Sequence, residues 1–167
     1  TGNDSVEHPL ALDRLRLGTS TETRAIDGSA RYVGWTDLVG TLETIIRSQL
    51  APGTALNLHI AELDEKLNPG DHPDHRAVAY AMEEVAGRLS CARVSRHQEY
   101  ATRDRRRNVN GTDFMIDAGT WAATASGLSD FHASSTWEPG HNAWVGRDYH
   151  RIQQPRGSCD VATSASR

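Results

Sequence analysis

The sequence predicts an α/β fold with a mainly parallel sheet. Three observations carry this: an apolar helical stripe after Thr36, a second one after Pro73, and strand runs at Thr54–Ile60 and Cys91–Tyr100 that alternate with them. In chain order, Leu10–Leu17 (LALDRLRL) alternates in part and reads as a strand. Thr19–Gly34 is rich in Ser, Thr and Gly and reads as a loop. Thr36 can cap a helix in which Leu38, Val39, Leu42, Ile45, Ile46 and Leu50 recur at helical spacing. Pro52 and Gly53 then stop it. TALNLHI, Thr54–Ile60, reads as a strand, followed by a polar loop from Ala61 to Asp71. Pro73 suits the first turn of a second helix, with Ala77, Val78, Ala81, Met82, Val85 and Leu89 as its inner stripe. Cys91–Tyr100 alternates as a strand, and an Arg-rich loop leads to a helix from about Asp117 to Leu128. Residues 1–154 form one domain, and the small polar residues 155–167 read as a loose tail.

Composition bounds the function. A chain of 167 residues with 37% hydrophobic residues is long enough for one buried core. With Phe114 and Phe131 its only phenylalanines, that core relies on aliphatic residues and Trp. No apolar run approaches the length of a membrane span. The first ten residues lack the basic start and apolar stretch of a signal peptide, although a processed chain, cytoplasmic or secreted, would look the same. A net charge of −4 argues against nucleic acid as a partner, because phosphate binding needs a basic field. Lys66 is the only lysine beside many arginines, a codon-usage trait of high-GC bacterial genomes. Two cysteines, Cys91 and Cys159, make neither a disulfide scaffold nor a CxxC metal site, and Cys91 reads as a small buried hydrophobe.

The densest chemical signal is Asp71-His72-Pro73-Asp74-His75, placed after a strand and at the opening of a helix. In open α/β sheets that position, at the carboxyl end of a strand, is where sites lie. One helical turn separates His72 from His75, so both rings can approach one face. Neutral imidazole is a common zinc ligand and leans on a neighbouring carboxylate, for which Asp71, Asp74 and Asp64 are candidates. Helix capping alone also accounts for the Pro and Asp residues. His59, His132 and His141 are further candidate ligands, with an ordinary surface or core role as the commoner alternative. Arg107, in the cluster Arg103, Arg105, Arg106 and Arg107, is a candidate contact for an acidic sugar or phosphate, against a solvated loop. Trp137, Trp144 and Tyr149 are either core residues or faces on which a sugar ring could stack.

The string Gly70–Ala77, GDHPDHRA, resembles the second signature of the PIG-L/LmbE-like zinc deacetylases. Upstream, Ile26-Asp27-Gly28, Tyr32, the helix with Leu38 and Leu42, and Pro52 are similar to the family's run into that motif. Downstream, the Ala/Val-rich helix, the strand ending at Tyr100, and Trp144–Tyr149 (WVGRDY) resemble its C-terminal half, so the likeness covers about residues 10–152. It implies a Rossmann-like, three-layer hydrolase that uses one zinc ion to remove an acetyl or other acyl group from an amino sugar or related amine. By the same resemblance His75 is a zinc ligand, His72 stabilises or protonates the tetrahedral intermediate, and Asp74 tunes His72. The expected partner is an N-acylated amino sugar or glycoconjugate.

The resemblance is incomplete. The family's A-H-P-D-D signature, which supplies two more ligands and the catalytic base, is absent; the nearest string is Glu7-His8-Pro9-Leu10-Ala11. Leu cannot bind a metal and Ala cannot take a proton. The expectation is therefore a sheet incomplete on its N-terminal side, and a chain that alone is a poor deacetylase. A segment or second chain would carry the missing half, or the chain is a degenerate sugar-binding homologue. An Arg-rich module for an anionic partner is the third reading.

Overall fold

A computed structural model describes residues 10–25, 27–51, 54–130 and 139–157. His8, Ile26, Pro52, Gly53, His132, Trp137, Cys159 and the His141 side chain lie outside the described residues. The architecture is mixed α/β. Three strands, β3 (Leu56–Ala61), β4 (Ala92–His97) and β5 (His150–Gln153), form a sheet in the order β3-β4-β5. β3 and β4 run parallel, joined by helix α3 (Pro73–Arg88), while β5 returns antiparallel to β4. The expectation of a mainly parallel sheet therefore holds for one of its two pairings. Among the described residues, β3 has no strand partner besides β4.

The core follows from strand alternation. Leu58 and Ile60 on β3 point to the same face as Ala92 and Val94 on β4. Helix α3 lays Ala81, Val85 and Ala86 over them, and Val39 of helix α2 (Gly34–Gln49) closes the cluster. The inner stripe of α3 differs from the sequence reading at one position. Val78 is 45% exposed and Ala79 is buried in its place. On α2, Ile45 is likewise exposed, whereas Leu38 and Val39 are buried.

Leu10–Leu17, expected as a strand, is instead helix α1 (Ala11–Arg16). Leu12 and Leu15, one turn apart, are buried against Leu38 and Ala77. Leu10 offers no side-chain cap, and the amide of Asp13 in the first turn donates instead to Asp74 Oδ1 at 3.0 Å. The stretch expected as a loop, Thr19–Gly34, holds an antiparallel hairpin of β1 (Glu22–Arg24) and β2 (Arg31–Val33). Asp27 Oδ1 accepts from the Ser29 amide and hydroxyl in its turn, and Gly28 takes φ +72°. Helix α4 (Gly111–Ser129) begins six residues before the expected Asp117, and Met115 and Ile116 on it are exposed. A short helix α5 (Pro139–Asn142) precedes β5.

Cys91 is buried as expected but is disulfide-bonded, so it does more than fill space. The first residues of the expected tail are anchored: the Arg156 and Gly157 amides both donate to the Ser90 carbonyl.

β5 is fastened to the exit of β3 by a buried acid. Glu62 is 1% exposed, and its two oxygens accept from Arg151 Nε at 2.6 Å and Nη2 at 2.7 Å. Burial pushes the Glu62 carboxyl up, but hydrogen bonds from Arg151 and the Asp64 amide outweigh it and hold the group below its ordinary value. A carboxyl lowered by folding contributes stability above its unfolded pKa and loses it as pH falls through the folded one. Arg151→Met is expected to destabilise the chain at pH 7 by about 2 kcal/mol, because the buried carboxylate loses its charged donor. Urea unfolding should show that deficit shrinking as pH falls through the ordinary glutamate range and then through the lowered value of folded Glu62, where the carboxyl becomes protonated in both proteins.

Candidate functional site

The loop from β3 to α3 is organised by two buried polar side chains. Asn68 is fully buried and uses its amide three ways. Nδ2 donates to the Glu62 carbonyl at 3.2 Å and to Asp71 Oδ2 at 2.9 Å, and Oδ1 accepts from the Glu99 amide at 3.0 Å. Gly70 turns the chain with φ +72°, a conformation that favours glycine, and delivers Asp71 to the interior. Asp71 Oδ1 then accepts from the His72 amide and from His75 Nδ1, both at 2.8 Å. Three donors thus converge on one buried carboxylate, and the ends of β3 and β4 are tied together through Asn68.

The histidines of the motif have different roles. With Asp71 as the acceptor, the neutral imidazole of His75 carries its proton on Nδ1 and its lone pair on Nε2. His75 is exposed and its ring lies 5.6 Å from that of Tyr100. His72 is the N-cap of α3, and its Nδ1 accepts from the Asp74 amide at 3.1 Å. That bond places the His72 proton on Nε2, where it is free to donate. The two rings are 5.5 Å apart.

Asp74, expected to tune His72, hydrogen-bonds it through the backbone: the Asp74 amide donates to His72 Nδ1, while the Asp74 carboxylate accepts from the Asp13 amide in the first turn of α1. Asp64 is exposed and its Oδ1 accepts from the Lys66 amide in a local turn. Arg107 lies over the Phe114 ring at 5.5 Å, and Arg103 and Arg105 cover Trp144 and Tyr149 in the same way. Three of the four arginines of the cluster are therefore stacked on aromatic rings.

A second group was not apparent from spacing. His97, the last residue of β4, pairs across the ladder with His150, the first residue of β5. His97 Nδ1 and His150 Nδ1 lie 3.1 Å and 2.8 Å from Asp148 Oδ1. These three residues form a group that could hold a metal ion, with ligand atoms within 4.8 Å of one another. It is the one such group of three or more among the described residues, and it does not include His75. His59, a candidate ligand, comes to its edge: Nδ1 is 2.9 Å from His97 Nε2, with the rings stacked at 5.1 Å. The available sequence signal was Asp148-Tyr149-His150, whose two-residue spacing puts both end groups on one face of a strand.

Two clefts meet here. One, of 370 Å³, is lined by His59, His75, Met82, His97 and Glu99. The other, of 860 Å³, is lined by His97, Tyr100, Trp121, Trp144, Asp148 and Tyr149, among others. Trp144 and Tyr149 are thus cleft walls, half-buried, and not core. Burial, reinforced by Asp71 and partly offset by His75, raises the Glu99 carboxyl above its ordinary value although its outer side is open to solvent. Burial lowers the His97 imidazole, with Asp148 opposing. Burial raises Asp148, but hydrogen bonds from His150 and His97 outweigh it and leave the carboxyl lowered. Zinc chemistry at His75 fits in part. The Asp71–His75 pair is a suitable ligand arrangement, but the described residues around it do not complete a three-ligand set.

Asp71→Ala leaves the buried Asn68 amide and the His72 amide without their acceptor. The expected cost is about 3 kcal/mol, read as a shift of the urea midpoint. Asp71→Asn should recover only part, since one side of its amide turns a second donor towards Asn68.

No family model, no curated protein and no solved structure matches the chain.

Proposed function

We propose that the chain carries part of the site of a zinc-dependent hydrolase that removes an acetyl or acyl group from an N-acylated amino sugar. The observation that carries this reading is the Asp71–His75 pair, which fixes the imidazole with its Nε2 lone pair outward beside a cleft. His72 supports it independently. Its Nε2–H is the donor that a tetrahedral oxyanion needs, and the backbone bond to Nδ1 keeps the ring in that tautomer. In this reading His75 contributes one zinc ligand, and the remaining ligands and the base come from groups outside the described residues. The resemblance of GDHPDHRA to the PIG-L/LmbE-like deacetylases is the reason for choosing amide hydrolysis.

One observation favours a second reading, a sugar-binding domain without catalysis. The larger cleft presents Tyr100, Trp121, Trp144 and Tyr149 beside Arg103, Arg147 and Asp148, a mixture of aromatic faces and polar groups suited to a pyranose ring.

Acetate release from N-acetylglucosamine derivatives decides between them, measured with zinc and with or without a polypeptide carrying an A-H-P-D-D segment. The hydrolase reading expects turnover that rises when the segment is supplied. His75→Ala should abolish it, and His72→Asn should lower kcat by about 10²–10³-fold, the usual loss for one oxyanion donor. Sugar binding that survives His75→Ala and chelator, with no acetate released in any condition, would establish the binding domain instead.

A further inference from the structure

The rims of β4 and β5 hold a site that the hydrolase reading does not use. We infer that His97, Asp148 and His150 form a second metal site, selective for a borderline divalent transition cation such as Zn²⁺ or Co²⁺, with His59 supporting His97 from outside. The placement is built into the sheet. His97 and His150 are directly opposed in the β4–β5 register, and Asp148, two residues before β5 begins, brings its Oδ1 to both Nδ1 atoms. The Asp148 backbone is clamped by Asn108, whose Oδ1 accepts from the Asp148 amide at 2.9 Å and whose Nδ2 donates to its carbonyl at 2.6 Å. Three donor atoms therefore converge from two strand ends and from a connecting segment whose backbone Asn108 braces.

The geometry allows the tautomers that ligation needs. Both Nδ1 atoms face the same Asp148 oxygen, so in the neutral Nε2–H tautomer each can offer its Nδ1 lone pair to a cation placed between them. In that tautomer the single His97 proton sits on Nε2, 2.9 Å from His59 Nδ1, which can accept it with the His59 proton on its own Nε2. A ligating imidazole commonly makes that outer hydrogen bond, and a third histidine, His59, within reach of the ring supplies its acceptor. Two imidazoles and one carboxylate suit zinc, cobalt or nickel. Calcium and magnesium favour sets built from oxygen. Three protein ligands leave a coordination position open, and the group borders the 860 Å³ cleft through His97 and Asp148.

This site stands apart from the one proposed at His75, and Co²⁺ titration separates the two. The full chain, stripped with chelator and dialysed, is titrated with Co²⁺ while visible absorption and heat are followed. Far-UV circular dichroism checks that each variant is folded. The wild-type chain is expected to bind Co²⁺ with a visible d–d band, and His75→Ala to retain that band. His150→Gln and Asp148→Asn should lose it, and His59→Ala should weaken binding by about 10–100-fold, the usual effect of removing an outer partner. A tenfold excess of Mg²⁺ should not compete. Folded wild-type chain that binds no Co²⁺ would overturn the site, as would a band unchanged in His150→Gln and Asp148→Asn. A band lost in His75→Ala alone would place the metal at the other histidine.

Discussion

One buried carboxylate organises the functional end of this molecule. Asp71 receives the Asn68 side chain, the His72 amide and His75 Nδ1, and none of these donors has a substitute within the loop. Through Asn68 the same hub reaches the Glu62 carbonyl at the end of β3 and the Glu99 amide beyond β4. A parallel pair of strands has no tight turn at its carboxyl end to hold the two exits together, since the connection runs through a helix. Here a hydrogen-bonded Asn–Asp pair does that work. An acid buried with three donors is stable where an unpaired one would not be, which explains how a charged group can sit in the interior beside an exposed histidine.

The motif around Asp71 also serves the helical layer. The Asp74 carboxylate caps α1, so one short segment, Asp71–His75, fixes an imidazole, caps its own helix through His72 and caps another helix. This dual use explains why α1, six residues long, persists. Isolated helices of that length do not form in water. It is held by the Leu12 and Leu15 contacts with Leu38 and Ala77 and by a donor–acceptor bond supplied from 61 residues away.

What could be read from the sequence divides along the same line between local and distant causes. The helices α2 and α3 and the strands β3 and β4 were legible because their periodicity is long and unambiguous, and Pro73 marks the start of α3. Leu10, Leu12, Leu15 and Leu17 satisfy period two in part and also hold a pair one turn apart, and only packing against α2 and α3 decides for a helix. In the hairpin β1–β2, Glu22, Thr23, Arg24 and Arg31 leave only Tyr32 and Val33 apolar, so no alternating apolar pattern announced it. At the site, Asp71 and His75 were legible because four residues in one turn determine their contact. Asn68 was not, because its value lies in reaching Glu62 and Glu99 at once. His97 and Asp148 are 51 residues apart and meet only because β5 doubles back on β4.

β4 is therefore the strand on which both histidine groups depend, by different means. Its last residue, His97, enters the β5 register and faces Asp148, whereas the chain just beyond it, Glu99 and Tyr100, crosses to the Asp71 side and brings its ring to His75. The two groups share a wall without sharing a ligand. Strand register fixes the positions of His97 and His150, and Asn108 those around Asp148, so these hold even if the β3–α3 loop shifts. The orientation of His75 depends on that loop through Asp71, and β5 reaches it only indirectly, by way of Glu62 and Asn68. Chemistry at His75 is accordingly sensitive to what perturbs Asn68 and Asp71, and metal binding at His97 is sensitive to what loosens β5. The Glu62–Arg151 pair, spanning β3 and β5, is the direct ionic link between the two halves.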